Sequence, residues 1–311
     1  MNIDIKLDIL AIFLIWILKD TSCIKIDKSK FRTVGTFRYN NPFNVNASSS
    51  NRATLAACDC GWRNTEFLNI VNGEETGVHE FPAMAGLVQV DTGALYCGST
   101  IISDRYLLTA AHCVYGISAR NIAVLVGDHN ISTGTDTPYA ALYLINGYVI
   151  HPSYNFSTYE NDVGIIQTSS QIITSTYVAP ICLPFYYYTT DFSGQQVTIL
   201  GWGQIEFSGP TSDTLQKANL DVISNAQCNY LVDETINNNE ICTYTSGRDS
   251  CQSDSGGPLL WTNPSIGRMF LVGIISHGRG CAFGYPGINT RVTYFLDWIL
   301  SMTSDATYCA L

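Results

Sequence analysis

Charge is scarce in this chain of 311 residues, and positive charge is the scarcest. Lys and Arg together number 16 against 26 Asp and Glu, so the formal net charge is -10 and only 14% of the residues are charged. No stretch gathers Lys and Arg into a basic patch. Because nucleic acids are bound through such patches, we expect no nucleic-acid partner.

Long apolar runs are missing as well. The run at residues 9–18 is ten residues long, about half of what a membrane-spanning helix needs. Its length and position are typical of a signal-peptide core, so we predict a signal peptide at residues 1–22, a secreted protein and no membrane partner. A buried helix or a signal anchor is the alternative, because Asp4 and Asp8 offset Lys6 in the flank that is usually basic.

Cysteine, in contrast, is plentiful, with eleven residues. If Cys23 leaves with the signal peptide, ten remain, which is enough for five bridges in an oxidising compartment. Zinc is the competing explanation for Cys58-Asp-Cys60, but no second close Cys/His pair accompanies it. We predict no metal and no cofactor. Sequons predict N-glycosylation at Asn46, Asn130 and Asn155.

The texture of the sequence changes along the chain. Residues 24–57 hold many Asn, Ser and Thr and no periodic apolar pattern, which predicts a disordered linker. From residue 70 onward, short β-branched runs between Gly, Pro, Asn and Asp turns predict an all-β fold. Only the tail departs from this pattern, because Phe295, Trp298 and Ile299 share one face of a predicted C-terminal α-helix. The predicted strands include residues 85–90, 122–126, 140–150, 196–200 and 269–276.

Three residues that lie far apart in the sequence have the chemistry of nucleophilic catalysis. Ser255 is followed by two glycines, which allow a sharp, exposed turn, but a serine also needs a base and donors for the oxyanion. His112 is the candidate base and Asp162 the candidate acid that orients it. Taken alone, each has an ordinary explanation: His112 as a structural histidine, Asp162 as a strand cap and Ser255 as a loop serine. Their joint occurrence in the order His, Asp, Ser favours a catalytic triad.

The strings around these residues resemble those of trypsin-like (chymotrypsin-fold) secreted serine proteases, among them arthropod venom and salivary members. TAAHC at 109–113 is similar to the base motif of that family, DSGGP at 254–258 to its nucleophile motif, and IVNG at 70–73 to its mature N-terminus. The resemblance covers residues 60–311. It implies two packed six-stranded antiparallel β-barrels with the active site between them, followed by the C-terminal α-helix. Further matching landmarks are GWG at 201–203, SHG at 276–278 and PG at 286–287.

The resemblance also implies a role for each matching residue. His112 would act as general base, Asp162 would hold its imidazole, and Ser255 would attack the substrate. The backbone N–H groups of Ser253 and Ser255 would form the oxyanion hole. Ser276 would support Asp162 and the substrate backbone.

Substrate choice follows from three further positions. Asp249 stands six residues before Ser255, where trypsin-like members keep the carboxylate at the base of the primary pocket, and Gly278 and Gly287 match the pocket walls. These residues predict cleavage after Arg or Lys; the alternative is that Asp249 only caps a loop. The chain departs from the family at two nearby positions, with Ser253 in place of a glycine and His277 in place of a tryptophan.

The match at residues 70–73 implies a zymogen. Its pro-segment would be residues 23–69 and its protease domain residues 70–311. Cleavage after Asn69 would free the amine of Ile70 to pair with Asp254, and a buried pair of this kind is costly to break. Most relatives have Arg or Lys where Asn69 stands, so we expect another processing enzyme rather than self-activation.

The resemblance implies four bridges: Cys97–Cys113, Cys228–Cys242, Cys251–Cys281, and Cys182 with either Cys58 or Cys60. The remaining one of Cys58 and Cys60 would pair with Cys309. Some relatives bind calcium after the strand at 122–126, but Asp128 and Asp136 are the only carboxylates at 127–139, and we predict no site.

These observations predict a secreted, glycosylated, trypsin-like serine endopeptidase that is made as a zymogen and acts as a monomer. Its partners would be protein or peptide substrates with Arg or Lys before the cleaved bond, and protein protease inhibitors. The alternative is a non-catalytic protease homologue that acts as a binding protein. The intact set of His112, Asp162 and Ser255 argues against that alternative.

Overall fold

The computed structural model describes residues 24–27, 29, 32–35, 52–64, 75–134, 136–203, 211–245, 254–278 and 285–311. The predicted signal peptide at residues 1–22 lies outside them. None of the helices among the described residues is long and apolar enough to cross a membrane.

Strands dominate the described part of the chain. The first half contains β1 (Ile24–Lys25), β2 (Arg32–Val34), β3 (Thr54–Ala56), β4 (Met84–Gln89), β5 (Ala94–Ile101), β6 (Tyr106–Thr109), β7 (Ile122–Val126), β8 (Ala141–Ile150) and β9 (Gly164–Thr168). The second half contains β10 (Gln196–Gly201), β11 (Gln216–Ile223), β12 (Glu240–Thr243), β13 (Pro258–Thr262), β14 (Met269–Gly278), β15 (Gly287–Arg291) and β16 (Thr307–Cys309).

The strands close into two antiparallel barrels. In the first, β4 to β9 pair in the order β5-β4-β7-β8-β9-β6, and β6 pairs back with β5. The second is closed in the order β10-β11-β12-β15-β14-β13. The short apolar runs form these strands because their side chains fill the barrel interiors; β7 and β9, for example, are buried at every position. The predicted fold of two six-stranded barrels is confirmed.

Two α-helices flank the second barrel in the described residues. α2 (Val292–Met302) follows β15 directly and buries Phe295 and Ile299, while Trp298 is partly buried, so the predicted C-terminal helix is confirmed. α1 (Asn225–Val232) was missed by the sequence analysis, which expected no helix before the tail. It begins at Ser224, whose side chain accepts a hydrogen bond from the Gln227 N–H.

The predicted linker is partly ordered, so the expectation of disorder over 24–57 was wrong for its described pieces. β1 adds to β5 antiparallel, and β2 adds to β8 in parallel. β3 forms a separate two-stranded parallel sheet with β16 at the end of the chain. These strands use backbone hydrogen bonds at sheet edges, which a search for apolar periodicity does not detect.

Four disulfide bridges join the described residues. Cys97–Cys113 staples the first barrel and Cys228–Cys242 ties α1 to β12. Cys60 pairs with Cys182 and Cys58 with Cys309, which selects between the two arrangements that the sequence left open. Cys251 and Cys281 lie outside the described residues.

Candidate active site

His112 lies in a short 3-10 turn, Ala111–Cys113, immediately after β6. The turn is held from both sides. Cys113 is bonded to Cys97 on β5, and the Thr109 hydroxyl donates to the Gly98 carbonyl oxygen at 2.8 Å. The histidine ring is therefore carried on a rigid part of the first barrel, and 19% of its side chain is exposed.

Asp162, on the loop between β8 and β9, has a fully buried side chain. One carboxylate oxygen accepts the backbone N–H of His112 at 2.9 Å, and the other lies 2.7 Å from His112 Nδ1. The Ser276 hydroxyl donates to the second oxygen at 2.6 Å. Burial alone would raise the pKa of Asp162, but the charge and hydrogen bonds of His112 and the Ser276 hydroxyl outweigh it and lower the pKa. Asp162 is thus held ionised.

Two strands of the second barrel donate hydrogen bonds to Asp162. Ser276 lies on β14, and the hydroxyl of Thr290 on β15 donates to the Asp162 carbonyl oxygen at 2.6 Å. The loop of the first barrel that carries Asp162 is therefore hydrogen-bonded to two strands of the second. This contact fixes the position of the His112 ring relative to the second barrel, which carries Ser255.

Ser255 stands in a turn just before β13. Its carbonyl oxygen accepts the Gly98 N–H at 2.8 Å and lies 3.5 Å from Cys113 Sγ, beside His112. The next residue, Gly256, has φ +80°, and a Cβ there would collide with Thr109 and Gly98 of the first barrel. The two glycines after the serine therefore allow the two barrels to meet at this turn.

Asp254, directly before the serine, points toward the end of β10. Its Oδ1 accepts the backbone N–H of Gly203 at 3.0 Å. A Cβ at Gly201 would overlap the same carboxylate. In the predicted activation, the partner amine would come from Ile70, which follows Asn69. Both residues lie outside the described residues.

The predicted specificity residues are only partly within the described chain. Gly278 on β14 pairs with Gly287 on β15. A Cβ built on Gly278 would lie 3.7 Å from the Gly287 Cα, so the two glycines are direct neighbours. Asp249 and Ser253 lie outside the described residues.

Tyr159, which the sequence analysis did not assign to the site, stands between His112 and His277, the residue noted above as a departure from the family. The Tyr159 ring meets the His112 ring edge-on, with 5.5 Å between centroids, and stacks on His277 at 5.1 Å with 23° between planes. Tyr159 has φ 58°, in the left-handed region that is uncommon for a bulky residue. Its only signal in the sequence is its place three residues before Asp162. Burial lowers the pKa of His277, with a smaller opposing effect of Asp162.

Potential metal ligands and two of the predicted glycosylation sites lie in the described part of the chain. One close group of potential metal ligands is found there, Cys97, His112 and Cys113, but its sulfurs are joined in a disulfide and have no thiolate to offer. Asn155 is exposed on the loop that carries Tyr159, and Asn130 is partly exposed, while Asn46 lies outside the described residues.

Comparisons with known proteins agree with this geometry. The family model described as Trypsin matches residues 70–299. Venom serine protease of Polistes dominula is 43% identical over 256 residues, 81% of this chain and 91% of that protein. Venom serine protease 34 of Apis mellifera is 42% identical over 82% of this chain, which spans 63% of the honeybee protein. Trypsin-1 of Astacus astacus is 34% identical over 240 residues, 74% of this chain and 98% of that protein.

Proposed function

Because this chain belongs to the trypsin family and is a serine endopeptidase, we propose that His112, Asp162 and Ser255 are its catalytic triad. The observation that carries the proposal is the shared Asp162 carboxylate, which is buried and bonded to His112 from one barrel and to Ser276 from the other. The turn that bears Ser255 contacts the His112 turn directly.

The reaction follows from these positions. His112 Nε2 takes the proton from the Ser255 hydroxyl as its oxygen attacks the substrate carbonyl carbon, and the backbone N–H groups of Ser253 and Ser255 stabilise the oxyanion. The imidazolium then donates that proton to the leaving amine, which leaves an acyl-enzyme. Water, activated by His112, releases the acid and regenerates Ser255. Asp162 holds the required tautomer and stabilises the imidazolium throughout.

Covalent labelling of the secreted, processed protein with a fluorophosphonate tests the triad. We expect one label, on Ser255, and peptide-bond hydrolysis that falls about 10⁴-fold or more in Ser255→Ala and His112→Ala. Ser265→Ala, in the exposed turn between β13 and β14, is the control and should match the parent protein. An unlabelled Ser255 in a folded, processed chain would favour the alternative, a non-catalytic homologue that acts as a binding protein.

We further propose cleavage after Arg or Lys, because Asp249 matches the sequence position of the carboxylate at the base of the primary pocket in trypsin-like members, and Gly278 and Gly287 match its walls. A buried carboxylate pairs with a long cationic side chain and discriminates against neutral ones. Matched peptide amides with Arg, Phe or Ala before the cleaved bond test this preference. We expect the Arg substrate to be cleaved fastest and Asp249→Ser to remove its advantage; faster turnover of the Phe substrate would refute the assignment.

We also propose that the enzyme is secreted through a signal peptide at 1–22 and activated by cleavage between Asn69 and Ile70, whose amine would then pair with Asp254. The relatives named as venom proteases support an extracellular location. N-terminal sequencing of the active protein should start at Ile70, and peptide mapping should find glycans at Asn46, Asn130 and Asn155. A different start would refute this activation scheme. The partners of the enzyme would be protein substrates and protein inhibitors, and the enzyme would act as a monomer.

A further inference from the structure

A second histidine is connected to Asp162 by hydrogen bonds. The Ser276 Oγ lies 2.6 Å from Asp162 Oδ2 and 3.0 Å from His277 Nδ1. A serine hydroxyl has one proton, and the ionised carboxylate can only accept. Ser276 must therefore give its proton to Asp162, so His277 Nδ1 must carry a hydrogen and donate it to Ser276. The result is one directed chain from His277 through Ser276 to Asp162.

The backbone explains how two consecutive side chains reach the same carboxylate region. Along β14 and β15, Ile275 pairs with Asn289 and His277 pairs with Ile288, so Ser276 is an extra residue at a bulge. In a regular strand, neighbouring side chains point to opposite faces, and a bulge removes that restriction by re-aiming one of them. The bulge therefore lets Ser276 and His277 act together.

The His277 ring is also fixed from the side of the first barrel. Tyr159 stacks on it and touches His112 with its edge. Four groups surround the ring: Asp162 and Tyr159 from the loop between β8 and β9, His112 from the turn after β6, and Glu234 from the segment after α1. Two of them are acidic groups that favour a cationic His277, and one, His112, becomes cationic itself during catalysis.

On the basis of the proposed triad, we propose that His277 is a positioning residue. Its neutral ring, through Ser276, holds the Asp162 carboxylate in place for His112, and its protonation at acid pH slows the reaction. The physical reason is charge. The imidazolium that His112 forms in the transition state would lie near a second imidazolium at His277, on the other side of Tyr159, and like charges in a partly buried site repel. Two protonations, one on each histidine, then limit the rate on the acid side.

The test uses the rate at which a small alkyl fluorophosphonate labels Ser255, measured between about pH 4.5 and 9. This probe occupies no extended peptide subsite, so the rate reports activation of the serine alone. His277→Asn keeps a donor near the Nδ1 position but does not titrate. His277→Phe keeps a ring to stack on Tyr159 but has neither donor nor charge.

On the acid side of its pH profile, we expect the logarithm of the labelling rate of the parent protein to fall by about two units for each pH unit. His277→Asn should keep the parent rate at about pH 8 within twofold and fall with a slope of about one. His277→Phe should show the same slope of one and a rate at about pH 8 that is lower by three- to tenfold, roughly the effect of one hydrogen bond. His79→Asn is the matched control: it removes a different partly buried histidine, in a left-handed backbone position (φ 56°) that asparagine tolerates, and should keep the parent slope.

A parent acid limb with a slope of one, or a slope of two that persists in His277→Asn, would overturn the proposal. A rate of His277→Phe at about pH 8 equal to that of the parent would overturn the positioning role. If His277→Phe does not fold, the slope of His277→Asn still decides the question. Failure of the proposed function looks different, because the parent protein itself would then not be labelled on Ser255.

Discussion

Asp254 depends on a glycine that lies 53 positions earlier in the sequence, Gly201 on β10, where a Cβ would overlap its carboxylate. The neighbouring Gly203 N–H binds the same carboxylate. Because Asp254 directly precedes Ser255, any displacement of this side chain is passed to the turn that presents the serine. Gly201 of the GWG string is thus required by the turn that presents Ser255.

Gly201→Ala should therefore reduce the fluorophosphonate labelling rate by at least about 100-fold, because misplacing a reacting group by about 1 Å has an effect of that size. Gly164→Ala on β9 is the matched control, since its Cβ would meet nothing closer than 3.4 Å. Thermal unfolding of both variants would show whether the chain still folds. A labelling rate of Gly201→Ala equal to that of the control would contradict the role given to Gly201.

A second residue-scale feature is the buried carboxyl of Asp128, which lies close to the carboxyl of Asp136 and the backbone of His129. Burial, with added repulsion from Asp136, raises its pKa to about 8. Between about pH 4 and 8 the folded chain therefore holds a proton that the unfolded chain has lost, so stability falls as pH rises through this window.

Asp128→Asn should remove this penalty. Measured by thermal unfolding with EDTA present, the variant should exceed the parent by about 2–5 kcal/mol at pH 9 and equal it near pH 4. Asp104→Asn, which changes an exposed carboxyl, is the matched control. A variant less stable than the parent at both pH values would mean that the ionised carboxylate is itself stabilised in the fold.

At this scale the sequence pointed to candidate residues of the site but not to their coupling. His112, Asp162 and Ser255 stand in distinctive strings, and the bonds of Asp162 to His112 place two of them together. The chain from His277 through Ser276 joins Asp162 across 114 positions of sequence, and only the packing of the two barrels creates it. Tyr159 carries no local motif at all, so its contact with His112 could not be foreseen.

Among the elements, those with a strong internal pattern were predictable. The predicted strand at 122–126 coincides with β7, and that at 140–150 begins one residue before β8. α1 was missed because it is only eight residues long and its apolar residues do not gather on one face; only Cys228 and Val232 are buried. The edge strands β1 to β3 were missed because backbone pairing, not apolar side chains, attaches them. Local patterns thus reveal elements that the core needs and overlook those held by caps, bridges or edges.

The N-cap of α1 can be tested directly. Ser224→Ala removes the acceptor for the Gln227 N–H and should lower the free energy of unfolding by about 1 kcal/mol. For a domain of this size that corresponds to a fall in Tm of about 2–4 °C. Ser224→Asp supplies another good N-cap and should restore the parent Tm. Equal losses in both variants would mean that Ser224 acts through something other than its cap.

At the scale of the whole molecule, one buried carboxylate joins three parts of the chain. Glu80 has a fully buried side chain and is contacted by Arg63, which lies before Asn69, and by Lys217 on β11 of the second barrel. Its pKa is lowered: burial alone would raise it, but Lys217, the Gly77 N–H and Arg63 outweigh burial. No sequence pattern pairs these positions, which are up to 154 residues apart.

Glu80→Gln should lower the free energy of unfolding by about 2 kcal/mol at pH 7, less than a wholly buried pair because Lys217 and Arg63 remain partly exposed to water. A lowered pKa means that this stabilisation is present above the unfolded-state pKa and is lost as pH falls through the folded-state value. The difference between variant and parent should therefore vanish in acid. Asp297→Asn, which breaks an exposed ion pair with Arg52, should change the stability by less than about 0.5 kcal/mol.

The bridge between Cys58 and Cys309 makes residues 58–309 a covalent ring. A cut between Asn69 and Ile70 would release no fragment, because the Cys58–Cys309 and Cys60–Cys182 bridges both hold the two pieces together, and it would add only one water to the mass. Maturation of such a molecule is therefore invisible by size until the disulfides are reduced.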